Sequence, residues 1–105
     1  MFPGSPVIAY LHGPREKVWG VLVELNTSGL FVRGIDLNTF DDWVRMVAAG
    51  GKNIALSHIF IPMWRIERVI LDETVDEIPS LAARFQASVG TSVEEYLGLK
   101  VPGVF

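Results

Sequence analysis

The stretch that decides the fold is Ile54–Asp72, IALSHIFIPMWRIERVILD, the longest nearly continuous apolar segment of the chain. Pro62 stands in its middle, and a proline cannot donate a hydrogen bond to a central strand of a sheet. The segment therefore predicts two strands, Ala55–Ile61 and Ile66–Leu71, joined by a tight connection at 63–65. A helical spacing is also present in the second half, but its β-branched residues favour a strand.

Upstream of this segment the sequence predicts three more strands. Val7–Leu11 is a short run of strand-forming residues, and Lys17–Leu25 alternates between two largely apolar faces, with Gly20 as its bending point. Residues 26–29, NTSG, have the chemistry of a hairpin turn, and Leu30–Ile35 is the returning strand. Two apolar faces on one strand indicate a curved, closed sheet. The first of these faces consists of Trp19, Val21, Val23 and Leu25.

A helix is predicted between the third and fourth strands, over about Thr39–Ala49. Phe40, Val44 and Val47 are spaced as one helical face, and Asn38 is a suitable cap. The helix is also favoured by acidic residues in its first turn, by two large apolar residues beside the stripe and by a terminating glycine pair. These are, respectively, Asp41 and Asp42, Trp43 and Met46, and Gly50 and Gly51.

The last third of the chain predicts two short helices. Asp72–Glu77 contains four acidic residues and no basic one, which indicates a solvated boundary. Pro79 suits the first turn of a helix whose apolar residues, Leu81, Phe85 and Val89, stand four positions apart. Ser92 and Glu95 have capping-box spacing for a second helix. The apolar tail, residues 98–105, is expected to pack against another surface.

The length of 105 residues is that of one domain. We therefore predict a single domain, residues 1–105, made of a barrel over 7–72 with an inserted helix and of a helical appendix over 78–105. Hydrophobic residues make up 50% of the chain, which is high because a small domain needs many polar residues to cover its surface. This surplus predicts apolar surface that another copy or a partner buries.

Charge and residue usage narrow the function classes. The formal net charge is −3 and the basic residues form no run, so the footprint of a duplex-binding protein is missing. Without cysteine, the chain has no disulfide, thiolate chemistry or cysteine-based zinc site. No apolar run is long enough for a spanning helix, and the start lacks the pattern of a secretory signal. We expect a cytoplasmic protein that does not bind membranes.

The predicted strands resemble those of the Sm-like (LSm) family of small β-barrels. Residues 18–30, VWGVLVELNTSGL, resemble the first Sm motif, in which a glycine is followed by an aliphatic residue at +2 and by a small polar residue at +6. Residues 59–69 resemble the second motif, a strand, a short turn and a final strand. The resemblance covers roughly residues 7–72 and implies a five-stranded, strongly bent Sm-like barrel. The first motif is carried by Gly20, Leu22 and Asn26.

The family includes spliceosomal Sm proteins and the bacterial host-factor RNA chaperone, so the resemblance implies RNA as a candidate ligand. The chain departs from the family where RNA is held. Leu30 stands at +10 from the glycine, where the family usually has an asparagine, and Pro62-Met63 stand where it often has Arg-Gly. The resemblance thus implies a divergent, bacterial-type member without the usual RNA pocket, in which Asn26 is the remaining polar candidate.

Family members commonly close into rings by pairing the fourth strand of one copy with the fifth strand of the next. For this chain the resemblance implies a homo-oligomer, with a ring as one form, assembled through the strands of residues 55–71. Such pairing also accounts for the surplus of apolar residues, because exposed strand edges must be covered or paired.

The candidate ligand or interface residues are Asn26, Trp64, Arg65 and Arg68. Guanidinium and indole groups stack on bases and bind phosphates even in an acidic protein. The alternative is an interface, in which Arg65 and Arg68 pair with Glu67 or with acids of a neighbouring subunit and Trp64 packs against that subunit. We favour the interface over nucleic acid.

No pattern in the sequence predicts catalysis. His12 and His58 have no partner at catalytic or metal-ligand spacing, and a helix N-terminus is sufficient to explain Asp41 and Asp42. The glycine pair at 50–51 is too short for a phosphate-binding loop. We expect a protein that is not an enzyme, with no cofactor, no metal and no small-molecule substrate that the sequence identifies.

Three functions stay open at this point. The first is a non-catalytic, oligomeric Sm-like binding module with a role related to RNA. The second is a protein-interaction or scaffold module that binds no nucleic acid. The third is a small enzyme of unknown reaction, which rests only on isolated histidine and aspartate residues.

Overall fold

The structure, a computed structural model, describes residues 1–50 and 56–98. It contains the predicted strands and helices in the predicted order. In chain order these are β1 (Pro6–Leu11), β2 (Glu16–Asn26), β3 (Gly29–Asp36), α1 (Phe40–Ala48), β4 (Ser57–Pro62), β5 (Ile66–Leu71), α2 (Leu81–Val89) and α3 (Val93–Leu97). Two short 3-10 helices, Leu37–Thr39 and Met63–Arg65, lead into α1 and connect β4 to β5. Ala55, predicted to start the fourth strand, lies outside the described residues.

The strands form one antiparallel sheet in the order β4-β3-β2-β1-β5. The prediction of a mainly β fold with helical additions is therefore confirmed. The sheet is not closed, because β4 and β5 are its two edges and no ladder joins them within the described residues. Each edge strand keeps one row of backbone groups that no neighbouring strand pairs.

Pro62 divides the opening segment as predicted. It ends β4, and the 3-10 helix Met63–Arg65 redirects the chain into β5. Two backbone hydrogen bonds hold this connection: the Met63 N–H donates to the Ser28 carbonyl at 3.0 Å, and the His12 N–H donates to the Arg65 carbonyl at 2.9 Å. The connection is thus fixed against both neighbouring hairpin turns.

The inner face of the sheet builds a core from strand residues alone. Within the described chain all five strands contribute to this cluster and no helix does. Its apolar side chains supply the area whose removal from water stabilises the sheet. The fully buried members are Val7, Ala9, Leu11, Val18, Leu22, Leu30, Val32 and Ile61.

The outer face is covered in part by the three helices, which build a second, aromatic core. Trp19 of β2 contacts Phe40 with ring centroids 4.9 Å apart, and Trp43 of α1 stacks on Phe85 of α2 at 5.0 Å. Tyr96 of α3 lies 5.6 Å from Phe85. Such pairs add about 0.5–1.5 kcal/mol each beyond the area they bury. The predicted apolar spacings of α1 (Phe40, Val44, Val47) and α2 (Leu81, Phe85, Val89) both face this core.

Gly20 has a partner that the sequence did not reveal. It lies directly opposite Gly34 of β3. A Cβ added at Gly20 would lie 2.7 Å from the Arg33 carbonyl oxygen, and one at Gly34 would lie 2.5 Å from the Trp19 carbonyl oxygen. Both distances are too short for a side chain, so the close approach of β2 and β3 requires glycine on both strands.

A β-bulge changes the predicted faces of β2. The register with β3 shifts between Leu22 and Glu24, so the regular alternation stops there. Trp19 and Val21, before the bulge, are buried in the aromatic core, whereas Val23 and Leu25 are exposed. The prediction of one continuous apolar face is wrong because it assumed an uninterrupted strand.

Two details of α1 differ from the prediction. Asn38 is not its cap: it lies inside the preceding 3-10 helix, where the Asp36 carboxylate accepts from its N–H at 2.8 Å, and Thr39 occupies the N-cap position of α1. Met46 does not widen the buried stripe, because it stands on the solvent side of the helix. The predicted core residues Phe40, Val44 and Val47 are buried.

The C-terminal helices start at serine caps. Ser80, not Pro79, begins the first one: its hydroxyl accepts from the Ala83 N–H at 3.0 Å. The Ser92 hydroxyl accepts from the Glu95 N–H at 3.1 Å, which confirms the predicted cap. Most of the predicted tail, from Leu99 onwards, lies outside the described residues.

Candidate functional site

Asn26 ends β2, and its side chain builds the turn into β3. Its Oδ1 accepts from the N–H groups of Ser28 at 2.8 Å and Gly29 at 3.3 Å, and its Nδ2 donates to the Glu24 carboxylate. The oxygen and the nitrogen of the amide are both engaged inside the turn. This geometry explains the residue as a turn former.

Arg65 joins the β4–β5 connection to the β1–β2 loop. Its guanidinium donates to the carbonyl oxygens of His12 at 3.3 Å and Pro14 at 2.8 Å, and it pairs with the Glu16 carboxylate at 3.1 Å. Arg65 therefore pairs with Glu16 and not with Glu67, one of the partners considered above, because the β1–β2 loop, which is distant in sequence, packs against the 3-10 helix. The guanidinium therefore holds the β1–β2 loop against the 3-10 helix Met63–Arg65.

Trp64 is a large apolar candidate residue that is open to solvent. Its side chain is 67% exposed on the 3-10 helix, beside the partly exposed Met63. Tryptophan is enriched at interaction surfaces. The position agrees equally with an interface and with a stacking ligand.

Arg68 belongs to a row of three side chains on adjacent strands. It lies opposite Tyr10 of β1, which lies opposite Lys17 of β2. The Arg68 guanidinium carbon is 4.3 Å from the centroid of the tyrosine ring and the Lys17 Nζ is 5.5 Å from it. Among the described residues neither cation forms an ion pair, so the pairing of Arg68 with Glu67 is not formed.

Asp72 does not belong to a solvated boundary, as the sequence predicted, but is 8% exposed. Its carboxylate accepts from the Trp19 indole N–H at 3.0 Å and from the N–H groups of Leu81 at 2.8 Å and Ala82 at 2.9 Å. A carboxylate at the first turn of α2 satisfies donors that the helix leaves unpaired. Asp72 thus joins the sheet to the C-terminal helices.

Asp41 and Asp42 each bind an arginine. Asp42 pairs with Arg45 of the same helix, and Asp41 pairs with Arg84 of α2. The second pair lies between two surface cavities of about 380 and 290 Å³, both of which it lines. These ion pairs connect helical segments and account for both carboxylates structurally.

The helices leave the other half of the outer face uncovered. Val23, Phe31 and Phe60 are 47%, 38% and 47% exposed, and the two phenyl rings are 4.7 Å apart. With His58 they line a hollow of about 190 Å³.

We name the two parts of the outer face by their side chains. The covered half is Ile8, Trp19, Val21 and Ile35, and the bare half is Val23, Phe31, Arg33, His58 and Phe60.

Arg33 is the polar member of the bare half that sequence reasoning missed. It lies opposite His58 on β4, as Phe31 lies opposite Phe60. Its Nε is buried without a hydrogen-bond partner, and its guanidinium forms no ion pair within the described residues. A buried donor without an acceptor is costly, and such groups are rare in folded proteins.

The structure divides the candidate residues into two groups. Trp64 and Arg65 stand on the connection that Met63 fastens to the turn of Asn26. Arg68 belongs instead to the row with Tyr10. Tyr10 and Lys17 had no signal in the sequence, because their closeness to β5 depends on the order of the strands.

Three further findings bear on function. Within residues 1–50 and 56–98, no three histidine, aspartate or glutamate side chains come together in a way that would hold a metal ion. None of the helices in those ranges has the length and apolar character to cross a membrane. Comparisons of the chain with protein-family models, curated proteins and solved structures found no match.

Proposed function

We propose that this chain is a non-catalytic binding module that works as a homo-oligomer on an Sm-like, strongly bent small-barrel scaffold. The observation that carries the proposal is the open sheet, whose two edges, β4 and β5, have no further strand paired to them in residues 1–50 and 56–98. Exposed apolar side chains lie along these strands, Phe60 on β4 and Ile70 and Leu71 on β5. An exposed apolar edge promotes association unless another chain pairs with it.

The barrel-like curvature is supported by the short connection between the edge strands. In a flat sheet of five strands, the two edges would lie about 19 Å apart, four spacings of about 4.8 Å. Only the three residues Met63–Arg65 separate the end of β4 from the start of β5. Even fully extended, the four steps from Pro62 to Ile66 span only about 14 Å. The short connection therefore supports a curled sheet, as in a small barrel, although no ladder joins β4 to β5 within the described residues.

Pairing between copies would supply partners for the edge backbone groups of β4 and β5. If β4 of one copy pairs with β5 of the next, both free rows of backbone groups gain partners and the apolar residues of both strands lose contact with water. A head-to-tail contact of this kind closes into a ring when the rotation permits.

Light scattering after size exclusion tests the oligomer. At about ten micromolar or more, we expect a mass that is a multiple of 11.6 kDa. Replacing Ile70 with lysine places a charge beside the β5 edge and should shift the protein towards the monomer. Val75→Lys, at an exposed position outside the sheet, is the matched control. A wild-type protein that stays at 11.6 kDa at this concentration contradicts the oligomer.

A protein is the ligand class that the geometry supports best. Asn26 and Arg65, two of the residues proposed for RNA, are engaged within the chain, whereas large apolar side chains such as Trp64 and Phe60 are exposed. Apolar and aromatic surface beside a few polar groups is typical of protein interfaces.

RNA stays the second candidate because of the row formed by Lys17, Tyr10 and Arg68. Two cations on one aromatic ring, with no acid paired to either among the described residues, suit a phosphate backbone. Filter binding with short U-rich and A-rich RNAs at low salt tests it. We expect the Lys17→Gln, Arg68→Gln double variant to abolish any binding, while Arg45→Gln keeps it. No binding by the wild type at micromolar concentration leaves the protein ligand.

A further inference from the structure

We infer that the bare half is a docking site for a segment of a partner protein that carries a carboxylate side chain close to a large apolar side chain. The site consists of side chains on the face of β2, β3 and β4, whereas pairing between copies joins backbone groups at the edges of β4 and β5. Among its apolar side chains only Phe60 lies on an edge strand. The inference goes beyond self-association and does not depend on it.

The apolar part of the site is the hollow beside the phenyl rings. Its volume of about 190 Å³ is smaller than the roughly 300–1,000 Å³ of sites that enclose a whole small molecule. It suits one large apolar side chain inserted between Val23, Phe31 and Phe60. Contact with aromatic residues in such a pocket is the usual source of binding energy at a protein interface.

The polar part of the site is Arg33. Two positions along β3 from Phe31, on the same face, it presents a guanidinium whose Nε is buried and unpaired. A carboxylate is the matching acceptor, because it receives two parallel hydrogen bonds from a guanidinium fork. A phosphate-rich polymer fits less well, because most of the side chains that line the hollow are apolar and the protein is acidic overall.

The charges at the two ends of the site predict the orientation of the bound partner segment. Glu24 of β2 lies opposite Phe31, so a carboxylate borders the phenyl end of the bare half. The acid of the partner is therefore expected at the Arg33 end, and its apolar side chain between the phenyl rings and Val23. A basic residue on the partner beyond the apolar one would meet Glu24.

Selection of short random peptides displayed on phage, with the full chain as bait, tests the inference. We expect the enriched sequences to share an aspartate or glutamate near a large apolar residue. In a fluorescence-anisotropy titration, an enriched peptide should lose about tenfold or more in affinity when its acid becomes an amide.

The same loss is expected when the protein carries Arg33→Gln, whereas Arg45→Gln, which changes an exposed arginine on α1, should bind like the wild type. Phe60→Ser is a second variant that removes the hollow and keeps Arg33. Circular dichroism and the melting temperature establish that each variant is folded. If Arg33→Gln does not fold, the peptide amide and Phe60→Ser still decide the result.

Three results would overturn the inference. The first is that no sequences are enriched, or that those enriched lack an acid. The second is equal affinity for the acid and amide peptides. The third is a loss of the oligomer in Arg33→Gln and Phe60→Ser, which would assign the bare half to a second copy. Failure of the oligomer test alone leaves the docking site intact, so the two proposals fail separately.

Discussion

The covered half and the bare half of the outer face share the strands β2 and β3 but differ in their burial. Trp19 and Ile35 pack beneath the helices, whereas Val23 and Phe31, further along the same strands, are open to water. The cause is the connection after β3: the 3-10 helix Leu37–Thr39 follows at once, so α1 folds back over the end of β3 that carries Ile35. Topology, not residue type, decides which aromatic side chains remain available for a partner.

The largest expected effect comes from removing an aromatic ring from under the helices. Phe85→Ala deletes the ring that stacks on Trp43 and leaves a cavity, which should lower the free energy of unfolding by about 3–5 kcal/mol. The matched change on the bare half, Phe60→Ala, should cost less than about 1 kcal/mol, because the ring is already half exposed. Urea denaturation of both variants measures the difference. Equal losses would contradict the division into two halves.

The next largest effect concerns the carboxylate that fastens the helices over the covered half. Asp72→Asn keeps the shape of the side chain but replaces a carboxylate that accepts three hydrogen bonds with an amide. The free energy of unfolding should fall by about 2–3 kcal/mol. Glu73→Gln removes a neighbouring exposed charge and serves as the control. Thermal unfolding and the quenching of tryptophan fluorescence report the change. A stability like that of the control would show that the carboxylate does not hold the helices.

The smallest effect separates the two arginines of the last strand region. Arg65→Gln loses hydrogen bonds to the β1–β2 loop and should cost about 1–2 kcal/mol. Arg68→Gln should cost less than about 1 kcal/mol, because its contact with the ring of Tyr10 is exposed. Chemical denaturation of the two variants side by side measures this order. A larger loss of stability in Arg68→Gln than in Arg65→Gln would assign the structural role to Arg68 and would leave Arg65 as the ligand candidate.

Much of the fold could be predicted because its signals are local. Pro62 cannot continue a central strand, so the opening segment had to divide there, and β5 has the predicted bounds Ile66–Leu71. The spacing of Phe40, Val44 and Val47 placed α1. The Ser92 cap likewise depends only on neighbours in the chain.

The features that escaped prediction depend on residues far apart in the sequence. Asp72 looked solvated because its donors are the indole of Trp19 and a helix that begins nine residues later. The unpaired Nε of Arg33 and the lack of room for a Cβ at Gly34 can be recognised only once the neighbouring strands are in place. The bulge after Leu22 also has no local marker, so the faces of β2 were misassigned beyond it.

Amide hydrogen exchange followed by mass spectrometry at two protein concentrations tests the central claim most directly, namely that the open edges are where copies meet. At tens of micromolar, peptides covering Ser57–Pro62 and Ile66–Leu71 should exchange more slowly than they do below one micromolar, because their free edge groups are then paired. Peptides from the central strand Glu16–Asn26 should exchange at the same rate at both concentrations. Edge strands whose exchange does not depend on concentration would contradict the account.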